Sequence, residues 1–490
     1  MTLSIGLQAA LSGLATTAEQ TSVVSRNVAR AGDASASRKI ANLISLPGGG
    51  VRLATVTRAS NEALLEKMLG ATSSAGTQRV IAQALDRLDQ TSADPELDAS
   101  PAALVAKLAG ALQLYASAPQ DSNAARSAVS AAANLANTLN DATKAVQHVR
   151  GQADADIAAG VGQVNDLLAK FHTVNAAVVN GTRAGRDVTD YLDQRDQILA
   201  GLSEQLGVRT ITRADNDMAI FTDGGVTLFD TVARSVTFSA TPLYTAGTTG
   251  NAVYVDGVPI TGSTGTMLSG SGRLTGLATV RDSIATTYQS QLDEIARGLI
   301  GAFAESDQSA TPTLPDVPGL FTYDGAPAMP ASGTVLTGIA GSIRISASVD
   351  PAQCGNATLL RDGGIAGNPA YVYNATGASG YSDRLQQLLG GLGATQAFDA
   401  AAQAGTSAAV GSYAASSVAW LQSARQSASA DADYSDTLLQ RSSDALSKET
   451  GVSLDEEMTL LLELERSYQA SSKLIATIDN MLGALLQTVR

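Results

Sequence analysis

The 490-residue sequence is poor in cysteine, histidine and aromatic side chains. Its single cysteine, Cys354, excludes an internal disulfide and a cysteine-ligated metal or iron–sulfur cluster. Two histidines, His148 and His172, argue against a histidine metal site or a catalytic triad. Aromatic residues make up only 4% of the chain. The small side chains that replace them suit close helix–helix contact better than a large aromatic-lined pocket.

Positive charge is also scarce. The chain has 32 Lys and Arg against 46 Asp and Glu, a net charge of −14. A nucleic-acid backbone is repelled by such a surface, so we expect no nucleic-acid partner. No apolar run reaches the roughly 18 residues of a membrane span, so we expect no membrane insertion. No Lys or Arg precedes Arg26, so any secretion is expected to proceed without a cleavable signal peptide.

Both ends of the chain carry apolar and small residues at alternating steps of four and three. This spacing is typical of a left-handed coiled-coil seam. The N-terminal positions are Leu3, Leu7, Ala10, Leu14, Thr17, Thr21, Val24 and Val28. The C-terminal positions are Leu461, Leu464, Tyr468, Ser471, Ile475, Ile478, Leu482, Leu485 and Val489. A single such run would indicate an amphipathic helix on a globular core, but two runs supply each other with a partner. We therefore expect the two ends to pair and to form an assembly seam.

Local signals predict where several elements begin. Ser453 and Glu456 have the spacing of a capping box, which predicts a helix from Leu454. Ser100 and Pro101 read as an N-cap followed by proline at the first helical position.

The pattern along the chain predicts an order of helices, then strands, then helices. A nearly unbroken helical pattern runs from about residue 123 to 179, and hairpin signals lie at Asp223-Gly224-Gly225 and Asp256-Gly257. Short strands are expected near Ile343–Ile345 and Tyr371–Tyr373. Residues 1–60 and 453–490 are expected to form the two halves of a terminal coiled-coil domain. The middle domain is expected to consist of a helical part at 61–206, a β-hairpin part at 207–275, a single helix at 276–305 and a helical return at 381–452. Residues 306–380 are expected to be loop and short strands.

Catalytic and metal-binding signals are poor throughout. Both histidines fall in the long helix and are interpreted as structural or solvated, and Cys354 as a small buried hydrophobe. Asp193 and Asp196 could be paired carboxylates, but Arg195 lies between them and an ordinary charged helix face is the preferred interpretation. We therefore expect no catalytic, cofactor or metal site, and no enzyme activity.

Several segments resemble the flagellar hook-associated protein 1 family, whose members form the first hook–filament junction. The C-terminal stretch 453–486 carries Asp-Glu-Glu at 455–457, Tyr468-Gln469-Ala470-Ser471 and Ile478-Asp479 in the order of the family. Upstream matches are Ser117-Ala118-Pro119-Gln120-Asp121, Leu192-Asp193-Gln194-Arg195-Asp196-Gln197 and Leu359-Leu360-Arg361-Asp362-Gly363-Gly364. The family's Asn-Ile-Ala-Asn element stands here as Asn27-Val28-Ala29-Arg30. The resemblance spans nearly the whole chain.

The resemblance implies a mainly α fold with a smaller β part. The expected molecule is elongated, with terminal helices paired as a coiled coil and a helical-bundle middle domain that carries β-hairpins. Residues 322–342 are too few for the outer β-domain of many members, so a slim form without that domain is expected.

The resemblance also implies a structural function: an extracellular axial subunit of the bacterial flagellum, exported through the type III apparatus. The implied partners are the flagellar hook protein, the second hook–filament junction protein, copies of the chain itself in a ring layer and an export chaperone. The alternatives are a secreted helical adhesin or effector, a wall hydrolase, and, within the flagellum, the hook protein or the second junction protein.

Overall fold

The computed structural model describes residues 2–33, 35–47, 49–92, 99–262 and 265–488. The helices are α1 Thr2–Arg30, α2 Glu62–Ser92, α3 Pro101–Ser117, α4 Ser122–Arg183, α5 Thr189–Gln205, α6 Arg273–Thr279, α7 Ala285–Ala302, α8 Ile339–Ser342, α9 Leu359–Asp362, α10 Asp383–Gly393, α11 Val410–Thr450 and α12 Leu454–Thr488. The strands are β1 Lys39–Leu46, β2 Gly50–Arg58, β3 Val208–Thr212, β4 Met218–Thr222, β5 Thr227–Asp230, β6 Val232–Ala233, β7 Val236–Thr237, β8 Tyr254–Val255, β9 Val258–Pro259, β10 Phe321–Thr322, β11 Arg344–Ile345, β12 Gln396–Ala397 and β13 Ser407–Ala408. The fold is mainly α with small antiparallel β units, which confirms the expected class.

Helix α4 is the long central helix of the middle domain. It contains 62 residues, or about 93 Å at 1.5 Å per residue, and confirms the long helix predicted between 123 and 179. Asp121 begins it by accepting a hydrogen bond from the Asn123 backbone N–H at 2.8 Å. The apolar positions of one face are buried against α3, α5 and α7 along its length. A single helix of this length makes the molecule elongated.

The predicted start of α3 is confirmed. Ser100 is the N-cap, its hydroxyl accepts from the Ala103 N–H at 3.3 Å, and Pro101 occupies the first helical position. Proline is tolerated there because its missing N–H would have no helical acceptor.

The β part consists of a four-stranded sheet, β3-β4-β5-β6, and a three-stranded sheet, β7-β8-β9. Both predicted turns are present: Gly225 has a φ of 92° between β4 and β5, and Asp256 and Gly257 have φ values of 47° and 82° between β8 and β9. Two successive positive φ angles are typical of a tight hairpin turn that follows the strand twist. Phe229 of β5 packs edge-on against Phe171 of α4, with ring centroids 4.9 Å apart, and anchors the larger sheet on the long helix.

The structure departs from the predicted pattern at two places. Around Tyr371–Tyr373, a 3₁₀ turn at Pro369–Tyr371 is followed by a single antiparallel bridge between Val372 and Gly363 rather than a strand. The helical return is interrupted between α10 and α11 by the small hairpin of β12 and β13. Asp399 starts a tight turn inside this interruption by accepting from the Ala401 N–H at 2.9 Å.

No outer β-domain lies between β10 and β11. This stretch is fully described, and α8 is its one helix or strand. Strands β10 and β11 pair directly with each other, Phe321 opposite Ile345. The chain therefore closes this position with a short crossover, in line with the expected slim form.

Helices α2 and α11 form an antiparallel pair at the end of the middle domain from which both chain ends leave. Arg79 pairs with Asp436 at 2.8 Å, and Arg425 with Asp86 at 3.5 Å, at two levels of the pair. One face of α11 buries a residue every seven positions: Ala414, Leu421, Ala428, Ser435 and Ser442. Because most of these side chains are small, neighbouring helices can approach closely. The pair brings Glu62 and Thr450, the ends nearest the termini, to the same end of the domain.

Asp293 is a buried carboxylate in the core of this domain. Its side chain on α7 accepts N–H groups from Gly338 at 2.8 Å and Ala340 at 2.9 Å, which ties the loop before α8 to the helix. Burial outweighs these hydrogen bonds and raises the pKa of Asp293 to about 6. A carboxyl with a raised pKa in the folded state binds a proton more tightly there than in the unfolded chain.

We predict that Asp293 makes the middle domain less stable as the pH rises. Its stabilising contribution is complete below the unfolded pKa near 4 and is lost as the pH passes about 6, a change of about 2–3 kcal/mol. Asp293→Asn removes this titration. The melting temperatures of the variant and of wild type are measured by calorimetry at pH 4.5 and pH 7. The difference, variant minus wild type, should be more positive at pH 7 than at pH 4.5. The exposed Asp141→Asn is the control and should follow wild type at both pH values. If the change in melting temperature between pH 4.5 and pH 7 were the same in Asp293→Asn as in wild type, the assignment would be refuted.

Candidate assembly site at the paired termini

Helices α1 and α12 pack against each other in an antiparallel arrangement. A Cβ added at Gly6 would lie 3.6 Å from the Ile478 side chain, and one added at Gly13 would lie 3.6 Å from the Ser471 hydroxyl. A rise of seven residues in α1 thus matches a fall of seven in α12. An alanine would therefore fit in ordinary van der Waals contact at both levels.

The predicted seam positions differ in burial. Buried side chains are Val24, Leu464 and Ile478, together with Ala10 and Thr17. Half-buried side chains are Leu7, Leu14, Val28, Leu461, Ile475 and Leu482. Tyr468 is 47% exposed and Leu485 is 50% exposed. The side chains of Leu3 and Val489 lie outside the described residues.

A second set of apolar side chains on these two helices points into solvent. Beside Tyr468 and Leu485, the exposed set contains Ile5, Leu11, Leu454, Met458, Leu462, Leu474, Met481 and Leu486. Many large apolar side chains exposed on one pair of helices are typical of an interaction site. The pair is therefore apolar both between its helices and on its outside.

The start of α12 follows the predicted cap only in part. The helix begins at Leu454, and the Ser453 hydroxyl accepts from the Glu456 N–H at 3.5 Å. The Glu456 carboxylate pairs with Arg38 at 2.9 Å, where a capping box would bring it back to the start of its own helix. Arg38 also donates to the buried Glu457 at 2.8 Å. The cap is thus coupled to the segment that follows α1.

The antiparallel hairpin of β1 and β2, which the sequence analysis missed, follows α1. It lies against α1: the Thr16 hydroxyl donates to the Val51 carbonyl at 3.0 Å, and the Val51 N–H donates to the Ser12 hydroxyl at 3.2 Å. A Cβ at Gly50 would lie 2.8 Å from that hydroxyl, so a larger residue here would displace the Ser12 side chain. The turn sequence Pro47-Gly48-Gly49-Gly50 between two apolar runs was the available signal.

Asn27 fixes the hairpin to both terminal helices. Its side-chain amide exchanges two hydrogen bonds with the backbone of Lys39, each 2.9 Å, and donates to Glu457 at 3.1 Å. All three residues are buried. The Asn27–Arg30 element is therefore a joint between α1, β1 and α12.

Asp193 of α5 lies at the centre of the contact between these terminal elements and the middle domain. Its carboxylate, 1% exposed, pairs with the Lys39 ammonium. It also accepts from the Ser37 hydroxyl at 2.6 Å and from Arg58 at 3.1 Å, and Arg30 lies 3.5 Å away. The preferred interpretation of Asp193 as part of an ordinary charged face is wrong, because the carboxylate is buried. Its cationic partners come from segments about 135–163 positions earlier in the chain.

The two residues that follow in the same motif face different surroundings. Arg195 points into the middle domain, where it donates to the Asn216 carbonyl at 2.6 Å, and burial lowers its pKa to about 10. Asp196 pairs with Arg58 at 2.6 Å, yet burial still raises the pKa of Asp196. Both line a cavity of about 520 Å³ between the hairpin, α5, α2 and the end of α11.

Exposed ion pairs surround this buried centre. Arg26 lies 3.1 Å from Asp187, and Arg30 lies 3.1 Å from Asp190. Exposed pairs of this kind contribute about 0–1 kcal/mol each. Alignment of the terminal elements on α5 therefore depends chiefly on the buried group, Asp193.

The other residues considered as chemical candidates are dispersed. His148 and His172 are both exposed on α4. The expectation that Cys354 is buried is wrong: it is exposed, at the left-handed end of a 3₁₀ turn that places it at the surface. Within the described ranges, no group of three His, Cys, Asp or Glu side chains is placed to hold a metal ion. No helix of that part of the chain is long and apolar enough to cross a membrane.

Comparison with known families gives two matches. A family described as "Flagellar hook-associated protein FlgK helical domain" matches residues 85–312, which comprise α3 to α7 with the intervening sheets. A second, described as "Flagellar basal body rod FlgEFG protein C-terminal", matches residues 447–488, the end of α11 and α12. The first match covers part of the middle domain, and the second covers the C-terminal half of the candidate site.

Two curated relatives and one solved structure are similar to this chain over about half of its length. The chain is 23% identical over 259 residues to flagellar hook-associated protein 1 of Salmonella typhimurium and of Salmonella typhi, which covers 52% of this chain and 46% of each relative. The match thus spans about half the length of these relatives. The structure of the flagellar hook junction protein FlgK from Burkholderia pseudomallei is 20% identical with a TM-score of 0.42, over 53% of this chain and 46% of that one. The family matches and the curated relatives together support the flagellar hook-associated protein 1 family for this chain and indicate a structural protein of the flagellum.

Proposed function

We propose that this chain is an axial subunit that joins the flagellar hook to the filament and assembles through its terminal helices. The observation that carries the proposal is the exposed apolar surface of the α1–α12 pair. A monomer gains nothing from leaving Leu462, Leu474 and Met481 in water, whereas a ring of copies can bury them.

The position of the pair in the fold supports this function. Both helices leave the same end of the middle domain, so they form one extension and not two separate tails. Copies arranged around an axis can then place their extensions side by side while the middle domains form an outer layer.

We further propose a route of export and a set of partners for the subunit. The subunit leaves the cell through the flagellar type III apparatus, escorted by an export chaperone and without a cleavable signal peptide. In the layer it contacts copies of itself, the flagellar hook protein on one side and the second hook–filament junction protein on the other. The acidic chain with a single cysteine is compatible with passage as an unfolded or barely folded chain.

The adhesin or effector alternative predicts a partner outside any ring, bound by the middle domain. It gives the outward apolar face of α1 and α12 no role. The wall-hydrolase alternative requires a convergent acid pair in a cleft, whereas Asp193 is neutralised by three cations. Neither alternative is favoured by an observation of its own.

Leu474 tests the role of the outward face of α12. Leu474→Asp places a charge on a half-exposed position, so the melting of the monomer should barely change, while burial of that charge between copies is opposed. In a strain that produces only the variant, the protein should be exported but filaments should fail to attach to hooks, as seen by electron microscopy. Asn480→Asp adds the same charge at an exposed polar position of the same helix and should be tolerated. Normal filaments with Leu474→Asp would count against assembly through this face.

Ile478 tests the pairing of α1 with α12 within one chain. Ile478 is buried beside Gly6, so Ile478→Ala should weaken the α1–α12 contact by roughly 2–5 kcal/mol. Hydrogen exchange should show the loss of protection in both helices, including α1, while α4 and α7 keep theirs. Leu486, 73% exposed, provides the control: Leu486→Ala should change protection by less than about 0.5 kcal/mol. Equal effects of the two substitutions would show that the antiparallel contact is not formed in the monomer.

A further inference from the structure

The segment Leu192–Gln197 of α5 points its polar side chains in two directions. Asp193, Asp196 and Gln197 contact the terminal module, defined here as α1, the β1–β2 hairpin and α12 with the residues that connect α1 to β1. Arg195 instead enters the middle domain, where it reaches Asn175 at 3.3 Å and the Asn216 carbonyl. One short stretch of helix is therefore bonded to both parts of the molecule.

We propose that Leu192–Gln197 is a releasable latch that sets the angle of the terminal module on the middle domain, with Asp193 at its centre. The proposal concerns contacts within one chain and does not depend on the axial function proposed above. It assigns a role to a motif that neither catalysis nor the α1–α12 pair explains.

Asp193 is suited to be the centre because its donors come from three segments of the module. Arg30 ends α1, Ser37 and Lys39 lie at the start of β1, and Arg58 ends β2. A carboxylate this deeply buried requires its partners, because an uncompensated buried charge is strongly destabilising. The geometry of one group thus fixes the positions of three segments together.

Two features indicate that the latch can release. First, a cavity of about 520 Å³ lies beside it, lined on one side by residues 56–62 of the hairpin exit and on the other by α5 and the end of α11. Second, Arg195 Nε and Asp196 Oδ1 are buried without a hydrogen-bond partner among the described residues. Tight packing would have excluded both the space and the unpaired atoms.

The connections at the joint are short. The chain passes between module and domain through residues 59–61 and 451–453. Backbone hydrogen bonds from Arg38 to Thr450 and from Ala59 to Arg38, both 2.8 Å, hold these crossings together. Rotation about two adjacent crossings is a hinge motion, and the ion pairs at Asp193 select one position of that hinge.

The test measures the angle in the purified full-length protein. With Cys354 replaced by serine, spin labels are attached to cysteines introduced at Ser467 on α12 and Ala176 on α4, both exposed. Double electron–electron resonance then gives the distance distribution between module and domain. The unmodified latch should give one narrow peak, and Asp193→Asn should give a broad or two-peaked distribution. An equally narrow peak in Asp193→Asn would overturn the latch.

The matched control is Asp190→Asn, which removes an exposed carboxylate of the same helix that pairs with Arg30. It should leave the peak narrow, and a broadening equal to that of Asp193→Asn would show that the buried group has no special role. Circular dichroism and calorimetry establish that each variant keeps its middle domain. If Asp193→Asn does not fold, Arg58→Gln removes the contact from the hairpin side. A broad or two-peaked distribution in Arg58→Gln then supports the latch, and an equally narrow peak overturns it.

Discussion

The antiparallel alignment of α2 with α11 is the constraint on which the pairing of α1 with α12 depends. Ile478 and Gly6 lie side by side although almost the entire chain separates them, and closing so long a loop is costly in entropy. The antiparallel α2–α11 pair reduces that cost because it brings Glu62 and Thr450 to one end of a folded middle domain. The terminal pair is therefore a continuation of a helix pair that the middle domain has already aligned.

Electrostatics at the joint follow from the same arrangement. In a chain of net charge −14, several of the cations of the first 60 residues meet acidic side chains at the joint. Arg30, Lys39 and Arg58 approach Asp193, and Arg38 approaches Glu456 and Glu457. Apolar contact joins α1 to α12, whereas the ion pairs of Asp193 orient α1 and the hairpin on α5. The two kinds of contact serve different purposes: the first is tolerant of sliding, and the second specifies a position.

Much of the fold could be predicted from local patterns, and the centre of the joint could not. Heptad spacing, the Ser100 cap and the Asp256-Gly257 turn act over a few residues, so the sequence reveals them directly. Asp193 looked like a residue on a solvated face because its partners Lys39 and Arg58 lie more than a hundred residues away. Cys354 was misjudged for a related reason, since its exposure depends on a turn that packing places at the surface. Burial of polar groups is a tertiary property, and local composition carries little information about it.

We propose above that the paired termini make this chain a structural element of the flagellum between hook and filament. Electron microscopy of cells from which the chain has been deleted tests this most directly. The account predicts hooks of normal form that carry no filaments, with attachment restored by the full chain but not by a version without residues 1–30. Intact filaments on the hooks of the deletion strain would contradict it.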